Sequence, residues 1–550
     1  MKRQAMDLKN AMQLRAIAIA VAASWAASAG AFVIESDNPD LSIRWDNSIR
    51  VNGGVRVEGR DSAITSNPAF DESDYKFDKS DMYAKRVDLL SEFDIGWKRR
   101  FGVRLSGSAW YDHAYNDDKV IGNPAFAALG TSYDNARYSS FTNRYHNGLS
   151  GEILDAFAWA NLEAGEMPVS IKAGRFSSFW GNSLFFAGGI ARGQQPIDGR
   201  KAASVPGSEV KELFLPLTQL SVVARPNDAI SITGQYYFDW ENTRAPEGGT
   251  YFASSDFALD GPDKAGLPGL GRRADPLGPE SKRGNFGVAV KISPEIFNGQ
   301  TLGMYYRKYD EKTPWLFLVP GTNSYRTVYA RDAELFGLGF DGKLGPVSVG
   351  AELGYHKNVG LSSRAFQSVT EGARGNTWHA LVNGVYGLTP TPLWQTGTLV
   401  GELTYTSLDK VTKNEALMAY RVGAAGCKNA ATGGAGGARD GCLTNSAWGI
   451  GVKLTPQYAQ VFPGVDLEVP ITVNYGLKGN SASAMGTSEG VVTYSVGVSA
   501  KIYAVHAVDL LYADQKAPMR VSAGGVAVGG NGAYSLNDRG RLSLTYKYAF

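Results

Sequence analysis

The chain has 550 residues, 43% of them hydrophobic, and a formal net charge of +2. A charge this close to zero leaves no basic footprint, so no nucleic-acid partner is expected. Glycine and tyrosine are plentiful, but no run of about 18 apolar residues is present to cross a bilayer as a helix.

The first residues read as a secretory signal. Lys2, Arg3, Lys9 and Arg15 form a basic region, residues 16–27 an apolar one too short for a transmembrane helix, and Ala27-Ser28-Ala29-Gly30-Ala31 a cleavage region. Cleavage after Ala29 or Ala31 is expected. This makes 1–31 a signal peptide and 32–550 a single exported domain. No cysteine near that point calls for lipoprotein processing. Cys427 and Cys442 flank a Gly/Ala-rich stretch, and in an oxidising compartment a disulfide between them is expected to close that loop. No further ligands stand nearby for a metal.

The first mature strand is expected from Leu41 to about Val57. Ile43, Trp45, Ile49, Val51, Val55 and Val57 lie on one face; Arg44, Asp46, Ser48, Arg50, Asn52 and Arg56 lie on the other. A second strand reaches Trp97. Lys98-Arg99-Arg100 turns into a third, where Val103, Leu105 and Tyr111 oppose Arg104, Ser106 and Asp112. Strict period-two alternation of this kind marks a β-strand with one apolar and one polar face.

The rhythm continues. Short connections are expected near 163–168, 225–228, 293–300, 341–346, 388–395, 456–466 and 503–506, alternating with long ones near 177–218, 241–282, 310–330, 357–376, 409–445, 479–490 and 513–537. Residues 347–356 and 492–502 alternate cleanly, as do 467–478, read as one continuous strand. Charges are expected on the polar face only, since a lipid-facing Lys or Arg at mid-bilayer costs roughly 2–4 kcal/mol. The last strand, 541–550, sets Leu542, Leu544, Tyr546, Tyr548 and Phe550 against Arg541, Ser543, Thr545, Lys547 and Ala549.

These patterns predict an all-β, up-and-down antiparallel transmembrane barrel of about 18 strands (16–18), with short periplasmic turns, long outer loops and both termini periplasmic. Outer-membrane lipid is then its surroundings. The aromatic-ended final strand resembles the signal read by the barrel-assembly machinery, through Tyr546, Tyr548 and Phe550.

Residues 177–216 stand apart. Phe176, Phe179, Trp180, Leu184, Phe185 and Phe186 make this connection too apolar for a solvated outer loop, and Arg192, Arg200, Lys201, Glu209, Lys211 and Glu212 follow. An inward fold against the lumen wall is expected, giving either a constriction with a ligand groove or a brace. Arg175, Trp180, Asn182, Phe185, Arg192, Arg200, Glu209, Lys211 and Glu212 are the candidate constriction residues, with Glu352 and His356 facing them from the wall.

Several of these segments carry a resemblance. Phe32-Val33-Ile34, residues 38–46, Gly174-Arg175, Trp180-Gly181-Asn182-Ser183, residues 206–216 and residues 236–240 resemble the outer-membrane barrel family catalogued as domain of unknown function 1302. Asn182 occupies a position where that family's pattern leads one to expect an acidic side chain. The resemblance implies a Gram-negative outer-membrane protein. It also implies association with a periplasmic lipid-carrier-like protein and an inner-membrane transporter of the resistance-nodulation type, hence hydrophobic cargo such as lipids, steroids or terpenoids.

Competing chemistry is weak. Gly486-Thr487-Ser488-Glu489-Gly490 matches a nucleophile elbow, but that motif needs a strand-to-helix turn in an α/β sheet, and here it falls between barrel strands. His113, His146, His356, His379 and His506 lack metal-ligand spacing. Gly433–Gly437 has no lysine where a phosphate loop needs one. A lumenal His356–Glu352 pair is the remaining hydrolase reading. No cofactor or enzymatic activity is expected. The favoured function is a channel for small hydrophobic or aromatic compounds. The alternative is a docking component that exchanges envelope lipids with a periplasmic carrier.

Overall fold

The computed structural model describes residues 32–34, 36–484 and 486–550; the signal-peptide assignment lies outside them. Eighteen antiparallel strands close into one barrel. They are β1 Leu41–Arg56, β2 Met82–Trp97, β3 Phe101–Asp112, β4 Gly148–Ala164, β5 Met167–Phe176, β6 Leu217–Asn227, β7 Ile230–Tyr237, β8 Phe286–Ile292 and β9 Thr301–Tyr309. There follow β10 Ala333–Leu344, β11 Val347–Gly360, β12 Arg374–Gly387, β13 Thr396–Lys413, β14 Ser446–Phe462, β15 Val465–Glu468 with Ile471–Lys478, β16 Val492–Ile502, β17 His506–Lys516 and β18 Arg541–Ala549.

Each strand pairs with its sequence neighbour. Closure comes from β1 against β18, from Ser48↔Ala549 to Arg56↔Arg541. Short turns at 98–100, 165–166, 228–229, 345–346, 463–464 and 503–505 share one end with the slightly longer 293–300 and 388–395. The long connections lie at the other end. That end is the outer one, because β1 begins at Leu41 and β18 ends at Ala549 on the short-turn side, and short turns are periplasmic in such barrels.

The barrel is inside-out relative to a soluble core. Trp45, Val103, Leu105, Leu353, Val496, Val498 and Leu544 are exposed on its outer surface, while Arg50, Asn52, Arg56, Ser106, Asp112 and Glu352 are buried facing the lumen. Two expectations need correction. Pro470 lacks an N–H and interrupts β15, although register with β14 and β16 is kept on both sides of the break. Charge is also not confined to the lumen: Lys308, Glu334 and Lys357 face outward on β9–β11. They lie at the outer ends of these strands, as ion pairs Lys308–Asp332 and Lys357–Glu334, where an outward charge costs only ~0–1 kcal/mol.

Lumen burial is graded along the strands. On β1 the lumenal side chains run from exposed Ser42 and Arg44, through half-buried Asp46 and Ser48, to buried Arg50, Asn52 and Arg56. The periplasmic half is therefore open and the outer half filled.

At the outer mouth, Arg56 donates to Asp74 (2.8 Å) and Asp538 (3.0 Å), drawing residues 57–81 and 517–540 inward. Tyr83, Tyr115, Tyr133, Tyr138, Tyr251 and Phe252 pack together beside this ion cluster. Asp71 accepts from the Asn123 backbone (2.6 Å), and Asp256 from the Glu72 and Ser73 backbones (2.9 Å each). Cys427 and Cys442 are bonded, their Cα atoms 5.8 Å apart, within the connection from β13 to β14.

Burial, reinforced by the charge of Asp256, pushes the Asp71 carboxyl up to about 7, and the Glu72 and Asp256 carboxyls are raised too. A carboxyl raised in the folded state favours that state at acid pH, and the advantage is lost as pH rises through the folded value. The outer plug is thus expected to be tighter at pH 5 than at pH 8. Hydrogen exchange in residues 68–76, corrected for intrinsic rates, checks this; equal protection at both pH values would contradict it.

Candidate functional site

The outer ends of β5 and β6 lie at Phe176 and Leu217, well below that of β4, which pairs with β5 only as far as Ala156↔Arg175 and continues outward to Gly148. Residues 177–216 leave the wall there and cross the lumen as a septum. A crossing segment carries backbone N–H and C=O groups that must find partners away from bulk water. The wall supplies them. Glu402 on β13 accepts from the backbones of Leu184 (2.6 Å), Phe185 (3.2 Å) and Phe186 (3.1 Å). Glu352 on β11 accepts from the backbones of Asn182 and Ile190, the latter at 2.8 Å. Asn383 on β12 donates to the Asn182 carbonyl (2.5 Å) and to Glu402 (3.2 Å).

Glycine allows this approach. A Cβ on Gly189 would overlap the Glu352 carboxylate, and Gly181 has φ +97°. Small wall residues help as well, since Phe185 lies over Gly451 of β14.

The middle of the septum is tied upward to the outer loops. Arg192 donates to Glu311 (2.7 Å) and Ser483 (3.1 Å). Arg200 pairs with Asp198 (3.0 Å) and Glu247 (2.9 Å), with its guanidinium 3.4 Å from the centre of the Tyr145 ring. Lys201 reaches Glu152 of β4 at 2.8 Å. The last part returns to the opposite wall. Glu212 accepts both guanidinium nitrogens of Arg50 on β1 (2.7 and 3.1 Å), Lys211 pairs with Glu92 of β2, and Glu209 with Lys547 of β18.

The remaining candidates fall around this septum. Arg175 pairs with Glu241 at 3.0 Å near the septum's root. Trp180 is buried against Tyr305 and lies 4.5 Å from the Arg307 guanidinium. Asn182 donates its Nδ2 to the Phe340 carbonyl at 2.8 Å, a bond an ionised carboxylate cannot make. That accounts for an amide where the family resemblance led one to expect an acid.

His356 is lumenal but does not pair with Glu352. Its Nδ1 stands 3.4 Å from Tyr309 Oη, and Glu352 is engaged with the septum backbone. The residues of a catalytic His–carboxylate pair are thus separated by their other partners. Ser488 sits in the 479–491 connection between β15 and β16, away from any α/β sheet. Tyr546, Tyr548 and Phe550 line the periplasmic end of β18, where His506 stacks on both tyrosines and Tyr548 on Phe550.

Sequence reasoning missed Glu402, Glu311, Arg307 and Lys312. Alternation alone marks Glu402 and Arg307 as lumenal, but nothing in the sequence says that the septum meets them.

The family model described as a protein of unknown function (DUF1302) matches residues 12–550. The chain belongs to that family. No curated protein matches it in sequence. Among solved structures it is similar to OpdK of Pseudomonas aeruginosa with vanillate, at 11% identity and TM-score 0.38, over 92% of this chain and 98% of that one. It is also similar to the outer-membrane channel DcaP of Acinetobacter baumannii (11%, 0.36, 95% and 100%) and to OccAB4 of the same organism (8%, 0.40, 94% and 100%). At that level of likeness they add nothing to what the strands already show. The closed barrel with its apolar outer belt is an integral protein of the Gram-negative outer membrane.

Replacing Glu402 by Ala removes the acceptor of three septum N–H groups at once. Each buried donor left unpaired costs ~1–3 kcal/mol. Exchange at Leu184, Phe185 and Phe186 is expected to rise about tenfold or more, while the barrel keeps its heat-modifiable mobility on gels. Unchanged exchange at those amides would show that the septum does not hang on this carboxylate.

Proposed function

We propose that this DUF1302 protein is an outer-membrane channel whose passage is set by residues 177–216, and that it admits small hydrophobic or aromatic compounds of lipid, steroid or terpenoid type. One observation carries the reading: the septum is latched to the wall by a few side-chain hydrogen bonds and ion pairs, not built into the sheet. Glu352 and Glu402 hold one side, and Arg50, Glu92 and Lys547 hold the other. A segment held this way can move without unzipping a strand. An 18-stranded barrel has a lumen wide enough for a solute once it does.

The choice of cargo follows from what the septum leaves uncovered. Ile190, Arg192 and Gln194 are buried under the outer loops, whereas Phe179 (48%), Leu184 (52%) and Val210 (64%) stay exposed. These apolar side chains are left uncovered within the barrel. An apolar surface inside a water-accessible vestibule suits an apolar solute. The same surface favours a second reading, in which the barrel passes envelope lipids to or from a periplasmic lipid-carrier-like protein served by an inner-membrane transporter.

Planar-bilayer recording tests the first reading. Wild-type protein is expected to show low or intermittent conductance. The double variant E352A/E402A, and a variant lacking residues 180–206, are expected to conduct more. Absence of conductance in all three would sink the channel. Normal solute uptake by a deletion strain, combined with altered outer-membrane lipids, would favour the second reading.

A further inference from the structure

Among the described residues, two buried cations near the root of the septum have no anion paired with them. Arg307 of β9 is fully buried, and none of its three guanidinium nitrogens has a hydrogen-bond partner among the described residues. Lys312, three residues past the end of β9, is 4% exposed, and its Nζ is likewise without a partner. Carboxylates stand nearby, but each is engaged elsewhere. Glu311 holds Arg192, Glu241 holds Arg175, and Asp310 accepts from the Asp332 backbone at 3.0 Å. The nearest ring to the Lys312 ammonium is Trp240, at 5.8 Å.

A buried charge without a counter-ion costs several kcal/mol, and a structure relieves that cost by neutralising the group or by pairing it. Burial and the neighbouring Arg307 charge together lower the Lys312 ammonium to about 8. At neutral pH it therefore remains mostly charged and still lacks a partner.

Lys312 also lines a cavity. Around it are Phe179, Phe214, Ile197, Thr243, Thr313 and the Arg192–Glu311 ion pair, enclosing about 30 Å³. That is room for one or two water-sized groups, such as the two oxygens of a carboxylate. Phe179 and Phe214 form an edge-to-face pair with centroids 4.4 Å apart, and Phe179 is half-exposed. The Lys312 ammonium and two threonine hydroxyls stand beside a Glu311 charge already offset by Arg192, with the aromatic pair at the cavity's edge, so polar and apolar surface meet within one short path.

We infer that this cavity is a carboxylate subsite, in which the Lys312 ammonium takes the acid group of an amphipathic organic acid while its ring or chain lies against Phe179 and Phe214. The inference rests on the channel reading for its place in transport, and it narrows the cargo from apolar compounds in general to those bearing one carboxylate. Binding itself needs no conduction, so the two ideas fail separately.

The test uses full-length protein in detergent, titrated with benzoate, with octanoate and with neutral benzyl alcohol, and read by calorimetry. Wild type is expected to bind both acids and to prefer benzoate over benzyl alcohol. Lys312→Met is expected to weaken acid binding about ten- to a hundredfold, the worth of a charge-assisted hydrogen bond, and to leave benzyl alcohol unchanged. Lys312→Arg retains acid binding. Because K312M removes an unpaired buried charge, its ligand-free melting temperature is expected to equal or exceed that of wild type, which separates lost binding from lost folding. No acid binding to wild type, equal acid binding by K312M, or a K312M that melts below wild type would each overturn the assignment. Conductance without acid binding would retain the channel and discard the subsite; acid binding without conductance would do the reverse.

Discussion

Everything inside this barrel depends on a few carboxylates accepting backbone N–H groups from a chain that crosses open lumen. A barrel of this width satisfies its own backbone entirely between strands, so the sheet has no hydrogen bonds to spare for a crossing segment. Glu352 and Glu402 supply acceptors that the segment's own conformation lacks. With them the segment 182–190 lies against β11–β13; with Arg50, Glu92 and Lys547 its far end lies against β1, β2 and β18. The septum is thus a strut pinned at both walls.

This arrangement explains why the lumen is asymmetric. Loops that enter from the outer end bring their own ion pairs and aromatic side chains, and these meet the septum from above. Arg192 reaches Glu311 and Ser483 on two different loops, so the septum is tied to the outer plug as well as to the wall. Below it, lumenal Arg44, Asp94 and Lys172 keep access to water. A solute entering from the periplasmic side meets charge on the walls and apolar surface on the septum.

Arg307 and Lys312 go against the economy of the rest. The other buried cations among the described residues are matched, as Arg50 is with Glu212, Arg56 with Asp74 and Asp538, and Arg200 with Asp198 and Glu247. Two unmatched cations in so consistently paired an interior are a local departure from a rule that the molecule otherwise keeps. Such departures gather where function, not stability, sets the residue.

The sequence by itself determined the barrel. Alternation of Trp45 with Arg44 and Asp46, or of Leu544 with Ser543 and Thr545, settles which side chains face lipid, because a period of two leaves each residue only one of two faces. The regular exchange of short and long connections likewise set the strand order and the outer end. Local pattern fixed less at strand interruptions and rims, as Pro470 and outward-facing Lys308 and Lys357 show, since depth in the membrane is not written in alternation. The composition of 177–216 marked it as unusual, and the tertiary structure decided the rest: that Glu402, not His356, is the partner of the septum, that Asn182 is an amide because it meets a carbonyl, and that Lys312 has no partner. Those facts come from residues more than a hundred positions apart meeting across the lumen. Sequence fixes the face of each side chain, whereas only the closed barrel fixes what stands opposite it.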